Sequence, residues 1–393
     1  MAIWMARAAF DPPGRRLIVM PFLHSFEPGG VERVALRLCG AWAADPALDV
    51  RLVMGREDGV LFSEAPAGLK RYSIASPIST AAWETLWMML VLRRQIRAQR
   101  PDVLFAAGNT YAVVAVAMKL ALGRRCPPVV LKVSNDLERR DLPAPVRWLY
   151  RRWLRIQGRH IDRFTGLAEP MRAEIIAGMQ VDPARVDTID DPALGAAELA
   201  ALAAIGDTRI PGRGRRYVAV GRLAAQKNLG LLVRAFAQAV QPGDTLVIVG
   251  EGGERRKLER LVAALGLGTR VSLPGHGAVA PALAAADVFV LSSDYEGVPA
   301  VVIEALASGL PVVATDCSVS MRALVGCFGV VVPVGDVAAL AAAMQAQGAL
   351  SAAQRRRAAT AMQSFTTERA AGAYAAVFRK LAGTRRQQSR SAW

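Results

Sequence analysis

The chain predicts an α/β fold with two Rossmann-like, doubly wound domains facing each other across a cleft. Three observations carry this. Short apolar runs alternate with longer amphipathic stretches, the grammar of parallel strands joined by helical crossovers. The alternation occurs twice, on either side of a change in texture at residues 190–216, which is alanine-rich and then carries Pro211, Gly212, Gly214 and several arginines. At 393 residues, 53% of them apolar, the chain is long enough for two domains with a core each. The expected division is 1–195 for the amino-terminal domain and 213–364 for the carboxyl-terminal one. A last helix is expected over residues 365–393.

In the first half, uninterrupted apolar runs mark buried strands at Leu17–Leu23, Arg51–Met54, Val103–Ala106 and Val129–Val133. Helical patterns fall between and after them at Val31–Trp42, Ala81–Gln99 and Pro145–Gln157. The second half repeats the pattern more cleanly, with strands at Tyr217–Val220, Thr245–Val249, Arg270–Leu273, Val288–Leu291, Pro311–Ala314 and Gly329–Val332. After Val288–Leu291, the loop SSDYEG leads into a helix with Pro299 in its first turn, running to Ser308 and stopped by Gly309.

The formal charge of +16 is unevenly placed. Residues 1–190 carry 27 Lys/Arg against 19 Asp/Glu, residues 191–354 carry 13 of each, and residues 355–393 carry nine basic groups against the single acid Glu368. A coat of positive charge points to nucleic acid; here the excess belongs to one half and the extreme tail, and no nucleic-acid motif accompanies it. The scattered Cys39, Cys126, Cys317 and Cys327 form no metal-ligand pattern, so free thiols in a reducing cytoplasm are expected. The amino terminus has too short an apolar stretch for a secretory signal, and nothing approaches a membrane-spanning run. The expectation is a cytoplasmic protein, soluble or peripheral.

Glu296 and Glu304 are eight positions apart, the first in a loop at a strand's carboxyl end and the second on the following helix. That edge of an open α/β sheet is where ligands bind, and a carboxylate accepts strong hydrogen bonds from vicinal hydroxyls. Arg222 and Lys227 lie just past a strand and near a helix start, where a diphosphate meets two cations and the helix amino end. Gly29 and Gly30 lack side chains, so backbone can approach a phosphate closely.

These segments occur in order. VAVGRLAAQKNLGLLVRAF (218–236), IVGEGGERRKLE (248–259), LPGH (273–276), the segment spanning Glu296 to Glu304, and EPGGVERVAL (27–36) together resemble the GT4 family of retaining glycosyltransferases with the GT-B fold. The resemblance covers most of the chain and is strongest from 218 to 316. It implies sugar transfer from a nucleotide-sugar donor to a saccharide acceptor with retained configuration, in surface-polysaccharide or lipopolysaccharide assembly. In that scheme Arg222 and Lys227 neutralise the departing diphosphate. Glu296, with the backbone of Gly297 and Val298, contacts the transferred sugar, and Glu304 accepts from the ribose hydroxyls. Gly221, Gly275 and His276 lie where the nucleotide passes, and Gly29 and Gly30 admit the donor phosphates.

Many relatives carry a histidine after the strand corresponding to Val129–Val133, where this chain has Ser134-Asn135-Asp136. Asn135, Asp136 and His24 are therefore the candidates beside the acceptor and reacting sugar, and no general base is named. No Asp-x-Asp stands at a strand end, so neither metal nor cofactor is implied. A catalytically silent partner subunit and a nucleotide-sugar epimerase of the same fold are the rival readings. Residues 139–159 hold seven arginines with Trp148, Tyr150 and Trp153. On a helix, Val146, Leu149, Tyr150 and Trp153 share one side and Arg147, Arg151 and Arg155 another. The resemblance implies that the last helix, about 365–393, packs back on the first domain, so that the basic tail joins this side as a candidate contact with an anionic membrane and a lipid-linked acceptor at its inner face.

Overall fold

The structure is a computed structural model that describes residues 15–27, 29–76, 79–139, 143–205 and 214–391, with side chains as far as Arg385. Residues 1–14 of the signal reading, Pro211 and Gly212 of the junction, residues 140–142 of the arginine-rich stretch and the last tail side chains lie outside the described residues. The chain divides into two compact units. One holds the chain up to Lys132, Ile156–Phe164, and the chain from Ala371 onward; the other holds Val133–Arg155 and Thr165–Ala370.

Seven strands form the first sheet: β1 (Leu17–Leu23), β2 (Leu48–Met54), β3 (Lys70–Tyr72), β4 (Val103–Ala106), β5 (Val129–Lys132), β6 (Arg163–Gly166) and β7 (Val186–Thr188). Their order is β3-β2-β1-β4-β5-β6-β7, with β1 paired in parallel to both β2 and β4. All seven residues of β1 are buried, as a central strand covered on both faces requires. Helices α1 (Gly30–Ala43), α2 (Glu84–Gln99), α3 (Ala112–Leu122), α4 (Ala144–His160), α5 (Glu169–Met179) and α6 (Ala196–Ile205) come between and after these strands. In the first unit, Trp42 of α1 packs edge-on against Phe105, Tyr374 and Phe378 at centroid distances of 5.0, 5.7 and 5.1 Å. The Trp42 indole N–H donates to the carbonyl of Ala371 at 3.1 Å, and Arg379 pairs with Asp45 at 2.9 Å. These interactions tie the final helix, Thr367–Ser391, into that unit from Ala371 on.

The second sheet lies wholly in the second unit. Its strands are β8 (Arg216–Val220), β9 (Thr245–Val249), β10 (Val271–Gly275), β11 (Val288–Leu291), β12 (Val312–Thr315) and β13 (Gly329–Val332). They run parallel in the order β10-β9-β8-β11-β12-β13. Strand order reverses beside β8, whose neighbours are β9 and β11. That reversal point is where an open sheet leaves a crevice at its carboxyl edge. Helices α7 (Leu229–Ala239), α8 (Arg255–Ala264), α9 (Val279–Ala284) and α10 (Ala300–Ala307) make the first crossovers. The core joins Leu232, Phe236 and Val233 of α7 to Ile248, Val290 and Val313 of the sheet.

Three strands lack a sequence signal. β3 is three residues, two of them exposed; β7 is a three-residue edge strand; and β6 reads RFTG, an arginine and a glycine in a fully buried strand. None presents an apolar run. The α10 boundary also shifts: Pro299 sits just before the helix in an extended conformation (φ −75°, ψ 111°), and Gly309 ends it at φ +72°.

Candidate active site

The turn after β8 is built around Gly221, whose φ of +155° suits only glycine. A Cβ there would lie 3.3 Å from Lys227 Cε, so the lysine side chain folds over this glycine. A single 3-10 turn, Ala225–Lys227, follows. Asn228 then takes the left-handed conformation (φ +41°) and caps α7 by accepting from Leu231 N–H. Asn228 Nδ2 also donates to Asp294 Oδ1 at 2.7 Å, so the turn is tied to the loop after β11.

That loop presents Glu296, which is 9% exposed. Lys227 Nζ donates to its Oε1 at 2.5 Å, Ser293 Oγ donates to the same oxygen at 2.7 Å, and the Gln226 amide donates to the carbonyl of Tyr295 at 2.8 Å. Ser293 is itself held by Thr315 Oγ1, which donates to its carbonyl at 2.6 Å. Glu296 N–H donates to Cys317 O. A buried carboxylate requires such pairing, because an ion left alone in a low dielectric is strongly disfavoured. Arg222 presents the opposite situation. It is exposed, and among the described residues its guanidinium makes no ion pair or hydrogen bond. The turn therefore offers one cation neutralised within the protein and one open to an anion from solution. Glu304 lies half-buried near the middle of α10, while Val298 is buried before it.

The turn after β9 packs onto the one after β8. A Cβ on Gly250 (φ +147°) would fall 1.9 Å from Gly221 O, and one on Gly252 (φ +156°) 2.4 Å from Leu223 O. Arg255 clasps Glu251 through two hydrogen bonds of 2.8 and 2.6 Å and holds its carboxyl below the usual range. Gly275 (φ +93°) lies beside this pair, where a Cβ would come within 2.9 Å of Glu251 Oε1. His276 is exposed.

Gly297 pairs through a β-bridge with Asn135, so closely that a Cβ would fall 2.2 Å from Ser134 O. Thus the Ser134-Asn135-Asp136 segment adjoins Glu296 in space. Asp136 Oδ2 accepts from Val319 N–H at 2.8 Å, whereas its Oδ1 is buried without a hydrogen-bond partner among the described residues. Burial, followed by the charges of Glu174 and Glu296, pushes the Asp136 carboxyl up to about 7. Glu174, which accepts from Leu137 and Glu138 N–H at 2.8 and 2.6 Å, is raised by burial as well.

In the first unit, Gly29 is the residue before α1, in extended conformation (φ −144°). At Gly30, a Cβ would meet nothing within 4 Å. His24 follows β1 with its ring 4.8 Å from that of Tyr111. Burial lowers its pKa, against the opposing pull of Glu84 and Glu32, and neither ring nitrogen has a hydrogen-bond partner among the described residues. Tyr111 donates to Glu32 Oε1 at 2.7 Å.

Sequence reasoning missed the supporting residues Ser293, Gln226, Asn228 and Thr315. The one signal was local: Asn228 precedes an apolar helical run, as a cap does. The chain-distant partners left none. Arginine and lysine after β8 were expected to act alike, whereas only Lys227 is ion-paired.

Two family models match: one described as "Glycosyl transferase 4-like domain" over residues 29–191 and one described as "Glycosyl transferases group 1" over residues 214–347. The chain belongs to the GT4-family glycosyltransferases. It is 39% identical over 99 residues to the lipopolysaccharide core biosynthesis glycosyltransferase LpsE of Rhizobium meliloti, a stretch covering 25% of this chain and 28% of that one. The curated relatives it matches are covered over no more than 32% of their length. Among solved structures, the lipopolysaccharide outer core galactosyltransferase WaaB superposes with a TM-score of 0.69 at 15% identity, over 93% of this chain and 100% of that one. Anabaena HepE, in complex with UDP and glucose, superposes with a TM-score of 0.64 at 18% identity, over 96% and 99%. The two-sheet α/β architecture of this GT4 chain is therefore the GT-B fold. Among its described residues, no helix is long and apolar enough to cross a membrane.

Proposed function

We propose that this glycosyltransferase moves a sugar from a nucleotide-sugar donor to a saccharide acceptor, lipid-linked and destined for surface polysaccharide or lipopolysaccharide, with retention at the anomeric carbon. The observation that carries the reading is the β8–α7 turn, where an unpaired Arg222 stands five residues before a Lys227 held by Glu296. A diphosphate there meets the open guanidinium of Arg222 and a lysine whose position is set by its ion pair with Glu296, cations placed where negative charge grows on the leaving group, the situation in which electrostatics lowers a barrier most. Glu296 and the backbone of Gly297 and Val298 hold the transferred sugar. Glu304 takes the ribose hydroxyls, Gly275 and His276 flank the nucleotide, and the open space at Gly30 suits a phosphate approaching backbone.

The chemistry is a same-face substitution. The C1–O bond to the diphosphate breaks with its electron pair leaving on phosphate, and the acceptor oxygen bonds C1 from the same side. The acceptor proton passes to the departing phosphate, so the step needs neither a protein base nor a metal. Asn135, Asp136 and His24 orient the acceptor or sugar hydroxyls. Two likenesses support the reading: HepE was solved with UDP and glucose, and LpsE is named for lipopolysaccharide core biosynthesis.

Membrane contact through residues 139–159 belongs to the same proposal. The sides of α4 differ from the expected ones: Trp148, Leu149 and Val146 are 56%, 60% and 46% exposed, while Tyr150, Trp153 and Arg147 are half-buried. The inward face is centred on Leu154, which packs at Gly178 and Leu137. An exposed tryptophan and leucine among arginines suit an interfacial helix better than the expected arrangement does.

Incubating the enzyme with a panel of nucleotide sugars and a bacterial lipid extract, with mass spectrometry of the products, tests donor and acceptor together. A mass increase of one sugar on a lipid-linked species is expected, and NMR of the new linkage should show the donor's anomeric configuration. Inversion would overturn the mechanism; transfer to soluble saccharides alone would overturn the acceptor.

A further inference from the structure

After β5 the chain runs through Ser134–Arg139, a segment pinned from several sides. Asn135 bridges to Gly297, and the Arg139 guanidinium lies over the Tyr295 ring, 4.9 Å from its centroid. Asp136 accepts from Val319 N–H at 2.8 Å. Tyr295 and Gly297 flank Glu296, and Val319 follows closely on Cys317, whose carbonyl accepts the Glu296 N–H. The segment therefore spans the two loops that carry and hold Glu296. Its other attachment is to α5. Leu137 packs at Gly178, and one turn earlier Glu174 Oε1 accepts from both Leu137 and Glu138 N–H, at 2.8 and 2.6 Å. Glu174 is a costly residue for that place. The helix already buries Met171, Ile175 and Met179, and Glu174 Oε2 is buried without a hydrogen-bond partner among the described residues. A carboxyl group so placed is disfavoured unless the bonds it does make offset its desolvation.

We infer that Glu174 is a positioning residue for sugar transfer: by holding two successive amides it fixes the Ser134–Arg139 segment, and through the Asn135–Gly297 bridge it sets the backbone beside Glu296. It acts through Gly297 rather than by contact with the sugar. A purely local brace would satisfy the same two amides. Here the segment cannot shift alone, because a Cβ at Gly297 would fall 2.2 Å from Ser134 O. Backbones packed that closely pass a displacement on, and misplacement far from the reacting atoms lowers the rate of a step that depends on alignment. The inference rests on the proposed contact of Glu296, Gly297 and Val298 with the transferred sugar, and adds to it the residue on α5 that keeps this contact in place.

Amide hydrogen exchange read by mass spectrometry, together with steady-state transfer, tests this on the full chain. Glu174→Ala should speed exchange about tenfold in peptides covering 134–139 and also in those covering 293–298. It should lower kcat about tenfold with the donor KM within about threefold, because the diphosphate's contact with Arg222 is left in place. Glu174→Gln, whose amide oxygen can accept the same two N–H groups, should restore both readouts. Faster exchange confined to 134–139, or wild-type kcat in Glu174→Ala, overturns the inference; glutamine as damaging as alanine does so too. If Glu174→Ala misfolds, Glu174→Asp decides. One methylene shorter at the same charge, it should speed exchange at 293–298, and wild-type exchange there is the contrary result. Should the wild-type protein turn over no donor in the panel, the sugar-transfer reading fails, whereas exchange at 293–298 still decides whether Glu174 sets that loop.

Discussion

The strand-to-helix turns after β8 and after β1 use glycine differently. After β8, Gly221 needs a positive φ, and Gly250 comes so near its carbonyl that any side chain would collide. After β1, Gly29 is in an ordinary extended conformation, and a Cβ at Gly30 would enter open space. The first junction therefore requires glycine for folding. At the second, the fold itself gives no reason for glycine at position 30. The charged groups differ in the same way: Lys227 and Glu296 neutralise each other, while Arg222 remains open.

Substitutions can break or sharpen this contrast. The largest effect belongs to Lys227→Ala, which removes a preorganised cation and should cost about 100- to 1,000-fold in kcat; Glu304→Ala should abolish most transfer through the donor's ribose. If both variants kept wild-type turnover in a steady-state assay, the site assignment would fail. Arg222→Gln comes next, with a loss of about tenfold or more in kcat/KM and an unchanged Tm, because this side chain supports nothing in the fold. A drop in Tm would show that Arg222 is structural.

The glycines give the sharpest contrast. Gly250→Ala should destabilise by about 3 kcal/mol through strain and collision, measured by denaturant unfolding. Gly30→Ala should leave stability equal or raise it by about 0.5 kcal/mol, by restricting the unfolded chain, and still weaken donor binding measured by calorimetry. Equal stability losses at the two sites would erase the distinction.

The last test is a pH dependence. Asp136 is pushed up to about 7 in the folded protein from an ordinary value of 3.8, so between these values the folded state holds more protons than the unfolded one. Its contribution to stability is fully present below pH about 4 and is lost as pH rises toward 7. Asp136→Asn removes this slope, so the Tm of the variant relative to wild type should climb between pH 5 and pH 8. A flat difference would mean that Asp136 is not held in its neutral form.

Much of this was legible without coordinates. The apolar strands Thr245–Val249 and Val288–Leu291 fall where their hydrophobic runs place them, because a strand buried on both faces has a purely local signature. The glycine and cation positions of the second half could be read because each follows such a strand. The arginine-containing β6 could not, since its burial depends on the strands beside it. Nor could the outward turn of Trp148, because helical periodicity groups residues without telling which group faces inward.

By itself, the sequence determined that two αβ-alternating halves exist, that they carry the ordered motifs of a GT4 glycosyltransferase, and that Arg222, Lys227, Glu296 and Glu304 follow strand ends. Only the tertiary structure decided what these groups do to one another. Lys227 and Glu296 are 69 positions apart and meet because β8 and β11 are neighbours at the point where strand order reverses. Asn135 reaches Gly297 by a similar long-range pairing. Local periodicity encodes burial, but the partner of a charge is set by which strands become adjacent, and adjacency is a property of the folded sheet.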